Sequence, residues 1–135
     1  MKHLTALECL DITNCEKLNL MERDDYPTSL QTLGIERLPQ LVSLPQWLKG
    51  SADTLQFLFN YGCENLGVLP EWLPDLSSLR TLQIMYCRKL SSLPEGMDRL
   101  TALRELKISS CPELRRDYER EVSKDWGKMV KFSFD

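Results

Sequence analysis

The chain has 135 residues, enough for one domain with its own core, and it carries a net charge of −3. Apolar residues make up 42% of it and charged residues 27%, a composition typical of globular chains and not of disordered or collagen-like ones. The slight acidity argues against nucleic acid as a partner, and because no apolar run approaches the roughly 18 residues needed to cross a bilayer, no membrane span is predicted.

Leucine accounts for 25 residues, and its spacing defines a repeat. The pattern is Leu-x-x-Leu-x-x-Leu-x-Ile-x-x-Cys-x-x-Leu, which is complete from Leu4, Leu76 and Leu100 and less complete from Leu30 and Leu55. Equivalent leucines are 23, 25, 24 and 24 residues apart: Leu7, Leu30, Leu55, Leu79 and Leu103. All four isoleucines share one template position and four of the five cysteines share another, which excludes chance. The sequence therefore predicts a leucine-rich repeat array.

Each repeat is expected to form one short strand followed by a turn. The Leu-x-Leu/Ile alternation places two large side chains on one face of the strand. A recurring Leu-Pro pair suits a short helical turn, because proline is tolerated at the first helical position. Stacked repeats bury a shared core and lay their strands in one parallel sheet. The predicted fold class is an α/β solenoid: a wedge of about five repeats over residues 1–111, with the sheet on its concave face and helical turns or loops on its convex face.

The last residues, 112–135, break the period and are predicted to cap the array with a helix and a terminal strand. Four side chains recur at the four-residue spacing of a helix stripe: Leu114, Tyr118, Val122 and Trp126. Three more alternate as in a strand: Val130, Phe132 and Phe134. The first repeat has no such cap, so we expect the chain to be the tail of a longer protein or to need a partner on that end.

The cysteines and the single histidine give little support for catalysis or metal binding. The cysteines of the template are expected to be buried structural thiols, and no Cys-x-x-Cys pair indicates a zinc site. Cys9 is expected to face outward, and His3 is the only histidine available to activate a nucleophile. No glycine-rich phosphate loop is present. We therefore predict a chain that is not an enzyme and has no catalytic residue, cofactor, metal or small-molecule substrate.

The compartment follows from the cysteine count and the first residues. Five cysteines are an odd number, and acidic residues interrupt the apolar stretch of the first fifteen positions. We expect reduced thiols and a location in the cytoplasm or nucleus.

The outward-facing neighbours of the core residues form the candidate protein-binding surface. They make five short rows: Cys9-Asp11-Thr13, Thr32-Gly34-Glu36, Phe57-Phe59-Tyr61, Thr81-Gln83-Met85 and Glu105-Lys107-Ser109. The third row is aromatic throughout, and an aromatic patch with polar neighbours is typical of a protein-binding hot spot. The predicted binding residues are Phe57, Phe59, Tyr61, Thr81, Gln83, Met85, Glu36 and Lys107.

Asn60 leaves a second register open, because it stands where other repeats carry isoleucine. A slip by one residue would turn Phe57 and Phe59 inward, and it would relieve a buried amide. Leu55 and Cys63 keep their template spacing on both sides, however, so a slip needs a bulge. The exposed aromatic row is the favoured interpretation.

The whole chain resembles the C-terminal part of plant intracellular immune receptors, which join a nucleotide-binding domain to leucine-rich repeats. The resemblance rests on the repeat template, on Leu-Pro-Glu-Trp/Gly at 69–72 and 93–96, and on the closing segment: Cys111-Pro112-Glu113-Leu114, Glu121 and Lys124-Asp125-Trp126-Gly127-Lys128. It implies recognition of pathogen or host proteins in plant defence, and contacts with the receptor's own N-terminal domains that keep it inactive. The chain departs from the pattern at Asn60 and Leu38, and it has no nucleotide-binding domain.

Two other functions stay open. The chain could be a stand-alone repeat adaptor, for instance one that presents substrates to a ubiquitin ligase, although no F-box-like helical segment is visible. An enzyme would require a catalytic group that the sequence does not show, unless Cys9 proves to be specifically reactive.

Overall fold

The computed structural model describes residues 8–13, 29–113 and 131–134. In these ranges, six strands form one sheet in chain order, and every neighbouring pair is parallel. The strands are β1 (Cys9–Thr13), β2 (Thr32–Glu36), β3 (Phe57–Tyr61), β4 (Thr81–Met85), β5 (Glu105–Ser109) and β6 (Lys131–Phe134). A parallel sheet with few helices is compatible with the predicted α/β repeat-like fold.

The register places equivalent template positions side by side. Ile35 of β2 lies opposite Ile12 on one side and Asn60 on the other, and Ile84 lies opposite Asn60 and Ile108. Along β2, β3 and β4 buried and half-buried residues alternate, as a sheet with one packed face requires. The predicted parallel pairing is therefore confirmed for the described strands.

The helical turns are short 3-10 segments that close the far side of the core. They are Gln46–Ser51, Leu73–Asp75 and Met97–Arg99. The Leu-Pro pair lies just before these segments: Pro45 precedes the first directly, and the Pro70 carbonyl accepts a hydrogen bond from the Leu73 N–H at 3.1 Å. Leu48 and Leu73 are fully buried on these turns, so the core lies between them and the sheet.

A residue in the left-handed region follows four of the strands. These residues are Arg37 (φ 54°), Gly62 (φ 66°), Tyr86 (φ 57°) and Ser110 (φ 55°). The Gly62 N–H donates to the carbonyl of Met85, the last residue of the next strand, at 2.8 Å. Arg37 and Tyr86 make the same bond to their neighbouring strands, both at 2.9 Å. The turn extends the ladder by one bond, at a cost of roughly 1–2 kcal/mol for each residue that is not glycine.

Several predicted features lie outside the described residues. The start of the first repeat, Cys15 and the predicted helix over 114–126 are among them, and the domain boundary at 111/112 stays a prediction. Strand β6 occupies part of the segment where alternation predicted a terminal strand, and it pairs with β5. Within the described ranges, no helix has the length and apolarity that a membrane crossing needs.

Candidate functional site

The eight predicted binding residues lie on one face of β2–β5, opposite the packed leucines. All eight side chains are half-buried: Glu36, Phe57, Phe59, Tyr61, Thr81, Gln83, Met85 and Lys107. The residues between them on the strands are buried, for example Leu58 and Leu82, which are both 0% exposed. Ser109 lies on the same face by the strand alternation, but it is buried at 6% exposure. We call this side of the sheet the exposed face.

The aromatic row of β3 forms two pairs of rings on the exposed face. The rings of Phe57 and Phe59 are nearly parallel, with an interplanar angle of 9° and 6.5 Å between their centroids. Tyr61 makes an edge contact with Tyr86, at 5.2 Å between centroids and 65° between ring planes. The row is therefore a half-buried aromatic surface whose rings contact one another in pairs.

Tyr86 is a surface aromatic that the strand pattern does not predict. It is 47% exposed and lies one residue beyond β4, at the left-handed position. A bulky residue in this region is uncommon and strained, and such strain concentrates at functional positions. Its only sequence signal is the template: the equivalent positions hold Arg37, Gly62 and Ser110. The aromatic row therefore continues from β3 to the end of β4.

Charged side chains surround the aromatic row unevenly. The Arg37 guanidinium carbon lies 5.9 Å from the centre of the Tyr61 ring, and its Nε is 3.8 Å from the Glu36 carboxylate. On β4, the Gln83 amide donates to the Glu105 carboxylate at 3.5 Å. Asp11 and Glu36 give the β1–β2 side of the face an acidic character, and Lys107 lies on β5.

Asn60 is buried on the opposite side of β3, and the strand has not slipped. Its side chain is 1% exposed, and neither amide atom has a hydrogen-bond partner among the residues described. An unpaired buried amide costs about 1–3 kcal/mol. Leu55 and Cys63, both 0% exposed, keep their template positions on either side and hold the strand in register. The predicted alternation of β3 is confirmed, and the slipped register is excluded.

Three template cysteines that the structure describes form a column of buried thiols: Cys63, Cys87 and Cys111. The thiols of Cys63, Cys87 and Cys111 each donate to the carbonyl two residues earlier, at 3.9, 3.5 and 3.4 Å. Burial raises the pKa of the Cys63 thiol. The neighbouring Cys111 thiol, together with burial, raises the pKa of the Cys87 thiol. The Cys87 side chain, together with the Cys87 backbone N–H that donates to the Cys111 sulfur at 3.4 Å, lowers the pKa of Cys111.

The three thiols of the column differ from Cys9 in exposure. The three are at most 2% exposed, whereas Cys9 is exposed as predicted, and all four are free. In the described part of the chain, no group of three or more His, Cys, Asp or Glu side chains is arranged to hold a metal ion. The exposed face is the candidate site that is described further below.

Comparisons with known proteins do not assign this chain to a family. No protein-family model matches this chain, and no curated protein shows significant similarity to it. The resemblance to plant immune receptors stays a prediction from the sequence motifs.

Proposed function

We propose that this chain is a protein-interaction domain of the leucine-rich repeat kind, and that the exposed face of β2–β5 is its recognition surface. The observation that carries the proposal is the aromatic row: three half-buried rings on β3, extended by the exposed Tyr86. Aromatic side chains supply large contact area at low entropic cost, and they dominate binding energy at protein interfaces. Strands beneath the row are packed, so its rings are held ready for a partner.

The proposed setting is a plant intracellular immune receptor, in which the domain binds a pathogen or host protein and also restrains the receptor. The motifs that carry the resemblance support this setting. Both activities use protein contact on the same kind of surface, and neither needs a cofactor or a catalytic group. The cytoplasm or nucleus is the proposed location, where the free thiols stay reduced.

A capture experiment with matched variants tests the binding role. The full chain serves as bait in plant cell extract, beside Phe59→Ser and Val68→Ser, and bound proteins are quantified by mass spectrometry. Val68 is 56% exposed and lies in the loop after β3, so its replacement removes apolar surface away from the exposed face. We expect specific partners to be lost with Phe59→Ser and kept with Val68→Ser. Equal loss, or no loss, with both variants would contradict the proposal.

The native size of the protein separates the receptor from an adaptor. An antibody against residues 112–135 reports the size of the species in plant tissue, and peptide mass spectrometry reports its other domains. A receptor predicts a species several times larger than 15.7 kDa that contains a nucleotide-binding domain. A species of the chain's own mass that co-purifies with ubiquitin-ligase subunits would show that the chain is an adaptor and not part of a receptor.

A further inference from the structure

Two charges of opposite sign flank the aromatic row at equal distances. The register places Asp11 of β1, Phe59 of β3 and Lys107 of β5 at the same level of the sheet. Each charged residue lies two strands away from Phe59, which is about 10 Å on either side. Asp11 is exposed and Lys107 is half-buried, and neither takes part in an ion pair within the described part of the chain. We call Asp11 and Lys107 the flanking charges.

The other charged side chains on strands β2–β5 have partners inside the chain. Glu36 lies 3.8 Å from the guanidinium of Arg37. Glu105 accepts a hydrogen bond from the Gln83 amide at 3.5 Å. Among the residues that the structure describes, the flanking charges are therefore the ones left for another molecule to pair.

A second copy of the chain carries the same flanking charges, so the symmetry of a dimer decides how they meet. Dimers of identical chains are usually two-fold symmetric, and one surface then faces itself. If the axis runs along β3, the β1 side of one copy lies over the β5 side of the other, and Asp11 faces Lys107 twice. If the axis crosses the strands at Phe59, Asp11 faces Asp11 and Lys107 faces Lys107. Of these two arrangements, the first is the electrostatically favourable one.

The axis along β3 also gives compatible contacts elsewhere on the exposed face. The aromatic row faces itself, and Glu36 of one copy lies over Met85 of the other, because β2 and β4 are equally far from β3. Arg37 and Tyr86 follow these two strands at equivalent positions, so the guanidinium lies over an exposed ring that can bind it. Glu105 lies over the uncharged first residue of β1. In this arrangement no like charges of strands β1–β5 face one another.

We infer that the exposed face binds a second copy of this chain about a two-fold axis along β3, through the aromatic row and two ion pairs between Asp11 and Lys107. Strands β1–β5 span about 19 Å across and about 17 Å along the strands, or roughly 320 Å² of flat area. Stable interfaces bury about 800 Å² on each partner, so the association is weak and reversible. That the second copy competes with a recognised protein for this face rests on the proposed function, whereas self-association does not.

Sedimentation velocity of the full chain tests the inference between about 10 μM and about 1 mM, a range that brackets the affinity of small interfaces. We expect the sedimentation coefficient to rise with concentration towards that of a dimer. Asp11→Lys and Lys107→Asp should each weaken association about tenfold or more, because two attractive pairs become repulsive. The double variant Asp11→Lys/Lys107→Asp restores both pairs with the signs exchanged, and it should associate like the wild type.

A matched control separates this pairing from a change in net charge. Glu71→Lys makes the same change of charge as Asp11→Lys, but in an exposed turn before the Leu73–Asp75 segment. It should leave association unchanged. Circular dichroism of every variant at low concentration establishes that it is folded.

Three results would overturn the inference: a monomer at every concentration, unchanged association in Asp11→Lys, or a double variant that associates no better than the single ones. If the chain stays monomeric while the capture experiment finds a partner, self-association is wrong and the proposed function stands. If the dimer forms as expected but no captured protein is lost with Phe59→Ser, the proposed function is wrong and the face serves self-association.

Discussion

Asn60→Ile is expected to stabilise the protein, because Asn60 is a buried amide without a hydrogen-bond partner in the described part of the chain. Removing the unpaired amide gains about 1–3 kcal/mol. Burying an isoleucine side chain gains about 1.5–3 kcal/mol more. Isoleucine is larger than asparagine, and overpacking a closed core costs about 1–3 kcal/mol. The last two effects nearly cancel, so the free energy of unfolding should rise by about 1–3 kcal/mol.

Urea denaturation of the full chain measures this change. The midpoint should rise by about 1 M with an unchanged slope, given slopes of about 1–3 kcal/mol/M for small proteins. Gln83→Ile is the control, since it adds an apolar side chain to the exposed face of the adjacent strand and should change stability by less than about 0.5 kcal/mol. A lower midpoint for Asn60→Ile, or equal shifts for both variants, would refute the reasoning. The amide would then have a partner, such as a buried water molecule.

Three further predictions concern the strands, the turns and the thiols. Leu58→Ala should lower the free energy of unfolding by about 2–5 kcal/mol and Phe59→Ala by less than about 1, because only Leu58 is fully buried. A larger loss for Phe59→Ala than for Leu58→Ala in urea denaturation would show that β3 faces the other way. Ser110→Gly should add about 0.5–1 kcal/mol by relieving a φ of 55°, and a lower melting temperature would argue against strain there. Burial raises the pKa of Cys63 above its ordinary 9.0, so the folded state keeps this proton longer than the unfolded chain. The stability that the thiol contributes is complete below pH 9.0 and falls as pH rises through the folded-state pKa. The difference in the free energy of unfolding between wild type and Cys63→Ala should therefore shrink with rising pH. A difference that stays constant would contradict a raised pKa for Cys63.

The strand positions and their register could be predicted from the sequence, because each repeat states the same pattern again. Residues 57–61 alone do not determine whether the Leu58 side chain points into the core or towards the exposed face. The template spacing of Leu55 and Cys63 decides its orientation, and the structure keeps both at 0% exposure. The preference of the Asn60 amide for a polar environment is outweighed by the packing of the leucines. The strand tolerates a buried Asn60 because a slip would expose a leucine and need a bulge.

The details of the exposed face could not be predicted, because they depend on side-chain conformations and on residues outside the strands. Tyr86 follows β4 in a left-handed conformation, and nothing in the strand alternation predicts that it contacts Tyr61. Arg37 reaches the ring of the same tyrosine from the neighbouring turn. From the sequence, Gly34 is only a residue with a low preference for strands, whereas in the structure the Asp11 carboxylate lies over it. The repeat therefore predicts which positions face outward, and the packing decides what surface they make.

Site-specific photo-crosslinking tests the central claim most directly, namely that the exposed face of β2–β5 binds a protein. The full chain carries benzoyl-phenylalanine in place of Phe59 in one preparation and in place of Val68 in another, and each is irradiated in plant cells. The account predicts a discrete adduct with a partner protein from position 59 that is absent from position 68. Equal crosslinking from both positions, or none from position 59, would contradict the account.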